Sequence, residues 1–281
     1  MSGPLWRFGD VTLDCGERTL VMGIVNCTPD SFSDGGLNLD PEAAAATGVQ
    51  MVAEGADVLD VGGESTRPGS EPVSVDEELR RVLPVIEWLA QEVPDTPLSV
   101  DTMKPEVAEA ALANGASIVN DVSAGGDPRM FEVVASARAG MVLMHMLGEP
   151  RSMQHDPRYV DVVAEVRAAL AGRLDAARAA GLSDEALCID PGIGFGKTLE
   201  HNLALLRRVD AFFDLGRPVL VGPSRKRFIG ALLGTEVHER LEGTAAAVGW
   251  LAAKGCHILR VHDVKEMVRV VRVIDAIRGS A

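Results

Sequence analysis

Short apolar runs recur along the whole chain, and each is followed by a polar loop and then by a helix-forming segment. Each run is too short for a typical helix and resembles a strand buried on both faces of a parallel sheet. The first run, Leu20 to Val25, ends at Asn26, where a turn-forming stretch begins. The predicted strands are residues 20–25, 58–61, 98–101, 118–121, 141–144, 187–190, 219–222 and 258–261. Strands that alternate with helices in this way predict a parallel sheet covered by helices.

Eight such units predict a single (β/α)8 TIM barrel of the α/β class. The chain has 281 residues, which is a usual length for this fold. No change of composition marks a domain boundary, so we expect one domain over residues 1–281. Residues 1–19 are predicted to form a short N-terminal β-hairpin that covers one end of the barrel, which residues 20–281 form.

Helix-start signals follow several of the polar loops. Asp40 and Asp263 can cap helices that continue to about Glu54 and Arg278, and Ser74 with Glu77 forms a capping box. The other predicted helices begin at 105 and 127, end at 181, and cover 199–208 and 239–254.

Charge and cysteine usage exclude several classes of protein. The formal net charge of -14 argues against general binding to nucleic acid or to a membrane surface. The four cysteines contain no CxxC pair, so reduced intracellular thiols are expected rather than a zinc site. No apolar run is long enough to span a membrane, and the first residues lack the pattern of a signal peptide. We therefore expect a soluble cytoplasmic protein.

Polar side chains stand at the carboxyl end of nearly every predicted strand. On a barrel these ends meet at one mouth, where catalytic groups lie. Any one of them could simply cap the following helix, but eight together favour a binding site. An array of Asp and Asn acceptors indicates a heterocycle with several N–H donors. The residues are Asn26, Asp60, Asp101, Asn120, Asp121, His145, Asp190, Ser224 to Lys226, Arg260 and His262.

The Gly-rich segment DPGIGFGKT, residues 190–198, fits neither a Walker A loop nor GxGxxG. It could be only a tight turn between strand and helix. Alternatively, its glycines let the backbone approach a flat ligand beside Asp190, with Phe195 as an apolar face.

GPSRKRF, residues 222–228, concentrates three cations after the seventh predicted strand, where barrels often bind phosphate. Arg260 and His262 would complete an anion pocket from the neighbouring strand. A solvated basic turn is the alternative, and His262 alone would be assigned to a helix cap or the core. Asn26 could help to bind a hard cation, although this signal is weak by itself. The other five histidines share no spacing and are assigned no function.

NCTPDSFSDGG, DVGGESTRPG, SVDT, IVND, DPGIGFGK, GPSRK and RVH stand in this order, and together they closely resemble dihydropteroate synthases of folate biosynthesis. The resemblance spans essentially the whole chain. It implies a TIM barrel that condenses 6-hydroxymethyl-7,8-dihydropterin diphosphate with 4-aminobenzoate, releases diphosphate, uses Mg2+, forms homodimers and is inhibited by sulfonamides. The helix around 243–254 is a candidate subunit contact.

The resemblance also implies roles for individual residues. Lys226, Arg260, His262 and Arg67 would carry the catalysis, and Asn26 would bind the metal. The pterin and diphosphate would be bound by Asp60, Thr66, Asp101, Asn120, Asp190, Lys226, Arg260, Val261 and His262. The 4-aminobenzoate would be bound by Phe32, Thr66, Arg67, Pro68 and Ser224.

The charges suggest a dissociative displacement, in which cations stabilise the departing diphosphate and the pterin stabilises a cationic methylene. Two Gly- and Pro-rich loops, after the first and second strands, would close late and give ordered binding. Two alternatives stay open. A methyltetrahydrofolate:corrinoid methyltransferase shares the barrel and acidic pterin pocket but needs no diphosphate clamp, and a non-catalytic paralogue could bind pterin without turnover.

Overall fold

The computed structural model describes residues 3–28, 40–65, 69–149 and 151–279. An antiparallel hairpin of β1 (Leu5–Phe8) and β2 (Val11–Asp14) precedes the central sheet. The sheet has eight parallel strands. They are β3 (Leu20–Asn26), β4 (Val58–Gly62), β5 (Leu98–Asp101), β6 (Ile118–Asp121), β7 (Gly140–Met144), β8 (Leu187–Asp190), β9 (Leu220–Val221) and β10 (Ile258–Val261).

The sheet closes on itself. Its strands follow one another in the order β8, β7, β6, β5, β4, β3, β10, β9. A parallel bridge between Ile189 of β8 and Val219, just before β9, brings the two ends of this order together. The Ile189 amide donates to the Pro218 carbonyl at 3.0 Å. The ring is the predicted (β/α)8 barrel.

Helices connect the strands and lie outside the ring. They are α1 (Pro41–Ala53), α2 (Val75–Glu92), α3 (Pro105–Ala113), α4 (Arg129–Ala137), α5 (Val162–Ala179), α6 (Leu199–Arg207), α7 (Arg227–Leu233), α8 (Leu241–Ala253) and α9 (Val264–Arg278). Short 3-10 helices cover Asp184–Ala186, Val209–Leu215 and Val237–Glu239. No helix in the described ranges is long and apolar enough to cross a membrane.

Local capping signals explain where several helices begin. The Asp40 carboxylate accepts from the Glu42 amide, and the Ser74 hydroxyl accepts from the Glu77 amide, as the sequence predicts. The Glu77 carboxylate accepts from Arg80 and Arg81, so the described residues show only the Ser74 half of the predicted capping box. The position of Asp263 before α9 is also as predicted, but its side chain makes no cap hydrogen bond. Its carboxylate instead accepts hydrogen bonds from Nε and Nη2 of Arg225. The short helix α7 is not predicted by the sequence pattern.

The hairpin closes the amino end of the barrel. Trp6 is fully buried and its Nε1 donates to the Ala186 carbonyl at 2.8 Å. Trp6 and Phe8 share a core with inward-facing strand residues such as Met22 and Ile118. A larger core of apolar side chains lies between the strands and the helices. With one end of the barrel filled by the hairpin, the carboxyl ends of the strands remain for a site.

Candidate active site

A cavity of about 650 Å³ opens at the carboxyl ends of the strands. Strand ends contribute polar side chains to its wall, and the segment after β9 contributes several more. The predicted site residues on its wall are Asn26, Asp101, Ser224, Lys226, Arg260 and His262. Six residues from four segments that are far apart in the sequence therefore line one cavity, as the strand-end pattern predicts.

The remaining described site residues are buried beside the cavity rather than on its wall. Asp60 is completely buried, and Asn120 and Asp190 are 4% and 6% exposed. Val261 is fully buried, so its side chain belongs to the core and only its backbone is available to a ligand. Phe32, Thr66, Arg67 and Pro68 lie outside the described residues.

Arg260 organises the floor of the cavity. Its Nε donates to Asp60 Oδ2 at 2.5 Å, and its Nη2 donates to Asp101 Oδ2 at 2.8 Å. The Asn120 amide donates to the same Asp60 oxygen at 2.9 Å. The guanidinium thus joins carboxylates of β4 and β5 from β10, and its planar set of donors suits this double role.

Two buried carboxylate oxygens of this floor have no hydrogen-bond partner among the described residues. They are Oδ1 of Asp60 and Oδ1 of Asp101. A buried acceptor without a donor costs free energy, so a ligand that brings N–H groups gains by supplying them. Burial raises the pKa of Asp101 to about 7, opposed by Arg260 and reinforced by the nearby Asp60 carboxylate. The floor is therefore prepared for a donor-rich ligand.

Asp190 forms a second acceptor at the end of β8. Its Oδ1 accepts from the Gly192 amide at 2.7 Å. Burial raises its pKa to about 6, opposed by that hydrogen bond and by the charges of Lys226 and Lys197. Gly192 has φ of +69°, and a side chain there would lie 1.9 Å from the His145 carbonyl oxygen. Only glycine fits this close approach of two loops.

Lys226 lies across the segment that follows Asp190. Its Nζ donates to the Ile193 carbonyl at 2.7 Å and lies 4.1 Å from the centre of the Phe195 ring. Burial lowers its pKa to about 8, opposed by the charge of Asp190. A cation–π contact and one carbonyl hold the ammonium on the cavity wall, where it is available to an anionic or polarisable ligand.

Ser224 and His262 form a pair at the ends of β9 and β10. The Ser224 hydroxyl lies 3.0 Å from His262 Nδ1 and accepts from the His262 amide at 3.2 Å. Asn26 lies on the same wall at the end of β3, in register with Gly62 of β4. The described residues contain no group of three or more His, Cys, Asp or Glu side chains suited to a metal. The Asn26 amide oxygen as a single protein ligand nevertheless fits magnesium, which usually keeps water and takes phosphate oxygens as its other ligands.

Two residues of the site, Lys197 and Glu64, were missed by the sequence reading. Lys197 is only 3% exposed and lines the cavity. Glu64 also lines the cavity and forms an ion pair with Lys104, which contacts the buried Glu78 at 2.5 Å. Arg225 was among the cations singled out in the sequence, and the structure adds its ion pair with Asp263 and its φ of +57°. The only sequence signal for Lys197 was its position in the Gly-rich segment GFGKT.

The fold and the site define a barrel enzyme that binds an N–H-rich heterocycle beside cations. In agreement, the family model described as "Pterin binding enzyme" matches residues 22–262. The dihydropteroate synthase of Synechocystis sp. is 46% identical over 276 residues, which cover 98% of this chain and 95% of that protein.

Two solved structures extend this likeness to three dimensions. The Yersinia pestis dihydropteroate synthase with a sulfonamide drug has a TM-score of 0.93 and 41% identity, covering 98% of this chain and 99% of that one. The Xanthomonas albilineans dihydropteroate synthase with 4-aminobenzoic acid has a TM-score of 0.92 and 48% identity, covering 99% of both chains. The chain belongs to the dihydropteroate synthase family.

Proposed function

We propose that this chain condenses 6-hydroxymethyl-7,8-dihydropterin diphosphate with 4-aminobenzoate to form 7,8-dihydropteroate and diphosphate. The observation that carries the proposal is the floor in which Arg260 joins Asp60 and Asp101 and leaves one buried oxygen of each carboxylate without a donor. The similarity to dihydropteroate synthases over nearly the whole chain supports the proposal.

The pterin ring is the donor-rich ligand that this floor suits. Its N–H groups would satisfy Asp101 and Asp190, and Asn120 would add an amide held in place by Asp60. Charged acceptors in a buried site strengthen such hydrogen bonds and discriminate against analogues that lack the donor. Lys226 and Phe195, 4.1 Å apart, would lie along the edge and face of the ring.

The diphosphate would lie between Asn26, His262 and the cations Lys226 and Arg260. Magnesium would be held by Asn26 and by diphosphate oxygens, and it would supply charge that favours departure of the leaving group. Ser224, 3.0 Å from His262 Nδ1, fixes the orientation of the imidazole toward the cavity. These residues concentrate positive charge where negative charge develops on the leaving diphosphate.

Departure of the diphosphate breaks the methylene carbon–oxygen bond and leaves positive charge on the pterin methylene. The carboxylates of Asp101 and Asp190 stabilise that charge through the ring. The aromatic amine then forms the carbon–nitrogen bond and loses a proton, which requires little activation. Phe32, Thr66, Arg67 and Pro68 are proposed to bind the 4-aminobenzoate on the Ser224 side, with Arg67 assisting catalysis.

Sulfonamides are expected to compete with 4-aminobenzoate, as the drug complex of the Yersinia pestis relative suggests.

We also propose that two copies of this chain form a homodimer through α7, α8 and α9. These helices pack against their sequence neighbours and expose Leu233, Trp250 and Val273, which are 55%, 47% and 59% exposed. Light scattering of wild type and Trp250→Glu tests this, and a monomeric wild type would contradict it.

Turnover is the test of the proposed reaction. Purified protein with pterin diphosphate, 4-aminobenzoate and magnesium should release dihydropteroate and diphosphate in equal amounts. Arg260→Ala should abolish most of this activity, whereas exposed Lys265→Ala should retain it. If the wild type binds pterin but forms no product, it is a non-catalytic pterin-binding protein and the proposal fails.

A further inference from the structure

Lys197 is a buried cation for which the proposed reaction has no use. It is 3% exposed and follows three glycines with positive φ in the loop between β8 and α6, residues 191–198, here called loop six. Its Nζ donates to the Phe195 carbonyl at 2.9 Å, to the His145 carbonyl at 3.3 Å and to His145 Nδ1 at 3.1 Å. The three protons of the ammonium therefore have three acceptors.

These acceptors lie on two different loops. Phe195 belongs to loop six, and His145 begins the loop between β7 and α5, here called loop five, whose described residues are 145–149 and 151–161. Loop five also reaches loop six through Gln154, which donates to the Gly194 carbonyl at 2.7 Å, and through Tyr159, which donates to that of Gly196 at 3.1 Å. Lys197 is the innermost of these ties, because it lies beside the closest backbone approach, at Gly192.

A salt bridge does not explain the burial of this charge. Within the described ranges the hydrogen-bond partners of Lys197 are two carbonyls and an imidazole, although an ammonium is costly to bury without a carboxylate. Burial lowers its pKa to about 7, opposed by the charge of Asp190 and reinforced by Lys226. Burial and Lys197 together lower the pKa of His145 to about 4, so His145 is a neutral acceptor near pH 7. The negative charge that the Lys197 ammonium favours is therefore that of the Asp190 carboxylate.

Two parts of the pterin pocket depend on loop six. The Asp190 carboxylate accepts from the Gly192 amide, and the Phe195 ring lies under the Lys226 ammonium. Loss of the tie at Lys197 would allow loop six to shift and would remove a positive charge beside Asp190. Both effects act on the pocket proposed for the first substrate.

We propose that Lys197 is a positioning residue of the pterin pocket: its ammonium ties loop five to loop six, holds Phe195 in place and places a positive charge near Asp190. This rests on the proposed pterin-binding function. It gives the GFGKT lysine a role in substrate affinity without contact to the reacting atoms.

Two substitutions separate the tie from the charge. Lys197→Met removes both the donors and the charge, whereas Lys197→Gln removes the charge and retains two N–H donors. Exposed Lys265→Met is the matched control. For each full-length variant, calorimetry gives the affinity for 6-hydroxymethylpterin between pH 6 and 8.5, steady-state kinetics gives the KM for 4-aminobenzoate at saturating pterin diphosphate, and hydrogen exchange reports on loop six without substrate.

Lys197→Met should bind pterin about tenfold more weakly at pH 7, with faster exchange in loop six and a smaller change in the KM for 4-aminobenzoate. Lys197→Gln should retain slow exchange but lose pterin affinity at a higher pH than wild type, because Asp190 is then harder to ionise. This variant carries the test if the Met variant does not fold.

Wild-type affinity of the Gln variant at every pH, or unchanged exchange in the Met variant, would overturn the proposal. Equal loss of both substrates in proportion to thermal stability would do the same. A wild type that binds pterin without turnover would contradict the proposed reaction alone, because affinity and exchange still test Lys197.

Discussion

At the scale of single residues, the site contains two carboxyl groups whose pKa values are raised toward 7 by burial. Asp101 and Asp190 have pKa values of about 7 and 6, raised chiefly by burial. Such groups cost stability in the free protein and gain hydrogen bonds from a ligand. Strand-end positions identified them in the sequence, but the Arg260 bridge to Asp60 and Asp101 joins residues 200 and 159 positions apart. No local pattern predicts such a bridge.

The stability of an Asp101→Asn variant tests this cost. The folded-state pKa of about 7 lies above the ordinary 3.8, so the folded protein binds the proton more tightly and loses stability as the pH rises between these values. The variant should therefore melt about 2 °C higher than wild type at pH 8, with the difference vanishing toward pH 4. It should also bind pterin poorly. Thermal melts across pH measure this, and a lower melting temperature at pH 8 would contradict the account.

Activity should follow a bell-shaped pH profile. As the pH falls below 6, Asp190 takes up a proton and pterin affinity should fall by about tenfold per unit. Above pH 8, Lys226 loses the charge that would neutralise diphosphate, because burial lowers its pKa to about 8. The acid limb of pterin binding should shift in Asp190→Asn, whereas Asp175→Asn, on the exposed face of α5, should leave it in place. A flat profile of kcat/KM from pH 5 to 9 would argue against both assignments.

At the scale of elements, the strands follow the sequence closely. β5, β6, β8 and β10 have the predicted bounds, because each is a short apolar run that ends at a polar residue or turn. Helix α7 is missed because it is only 7 residues long and Lys226, the residue before it, provides no side-chain cap. Capping also fails to explain Asp263, which serves Arg225 instead. An ion pair between distant residues thus overrides the local capping signal near residues 222–228.

Gly192 in loop six and Gly234, directly after α7, offer a matched pair of glycine substitutions. Gly192 and Gly234 have φ of +69° and +68°. A Cβ atom at Gly192 would lie 1.9 Å from the His145 carbonyl oxygen, whereas a Cβ atom at Gly234 would have no neighbouring atom within 4 Å among the described residues. Gly234→Ala should cost about 1 kcal/mol of unfolding free energy through backbone strain alone. Gly192→Ala should cost more and should also weaken pterin binding. Denaturant unfolding and pterin calorimetry measure the two effects, and equal costs with unchanged affinity would contradict the close loop contact.

At the scale of the whole molecule, the barrel separates stability from function along its axis. The hairpin fills the amino end around Trp6, and the site occupies the carboxyl ends of the strands. The alternation of strands and helices predicts this arrangement, and the apolar residues of 1–19 are consistent with it. The identity of the ligand needed the family likeness, since an acceptor array alone specifies only a donor-rich heterocycle.

Trp6→Ala tests this separation. Removal of a fully buried Trp should cost about 3–5 kcal/mol of unfolding free energy, while kcat and both KM values stay near wild type below the melting transition. Trp88→Ala, on the partly exposed surface of α2, is the control with a much smaller cost. Large changes in KM for Trp6→Ala would show that the two ends of the barrel are coupled.

The central claim is that strand-end carboxylates bind the pterin while the residues after β9 and β10 bind the diphosphate. Calorimetry with 6-hydroxymethylpterin and with its diphosphate, each in magnesium, measures the affinity gained from the diphosphate. Asp190→Asn should weaken both ligands by the same factor and leave that gain unchanged, whereas His262→Ala should reduce the gain and leave the affinity for the pterin alone intact. If Asp190→Asn removed the gain, or His262→Ala weakened both ligands equally, this division of the site would be wrong.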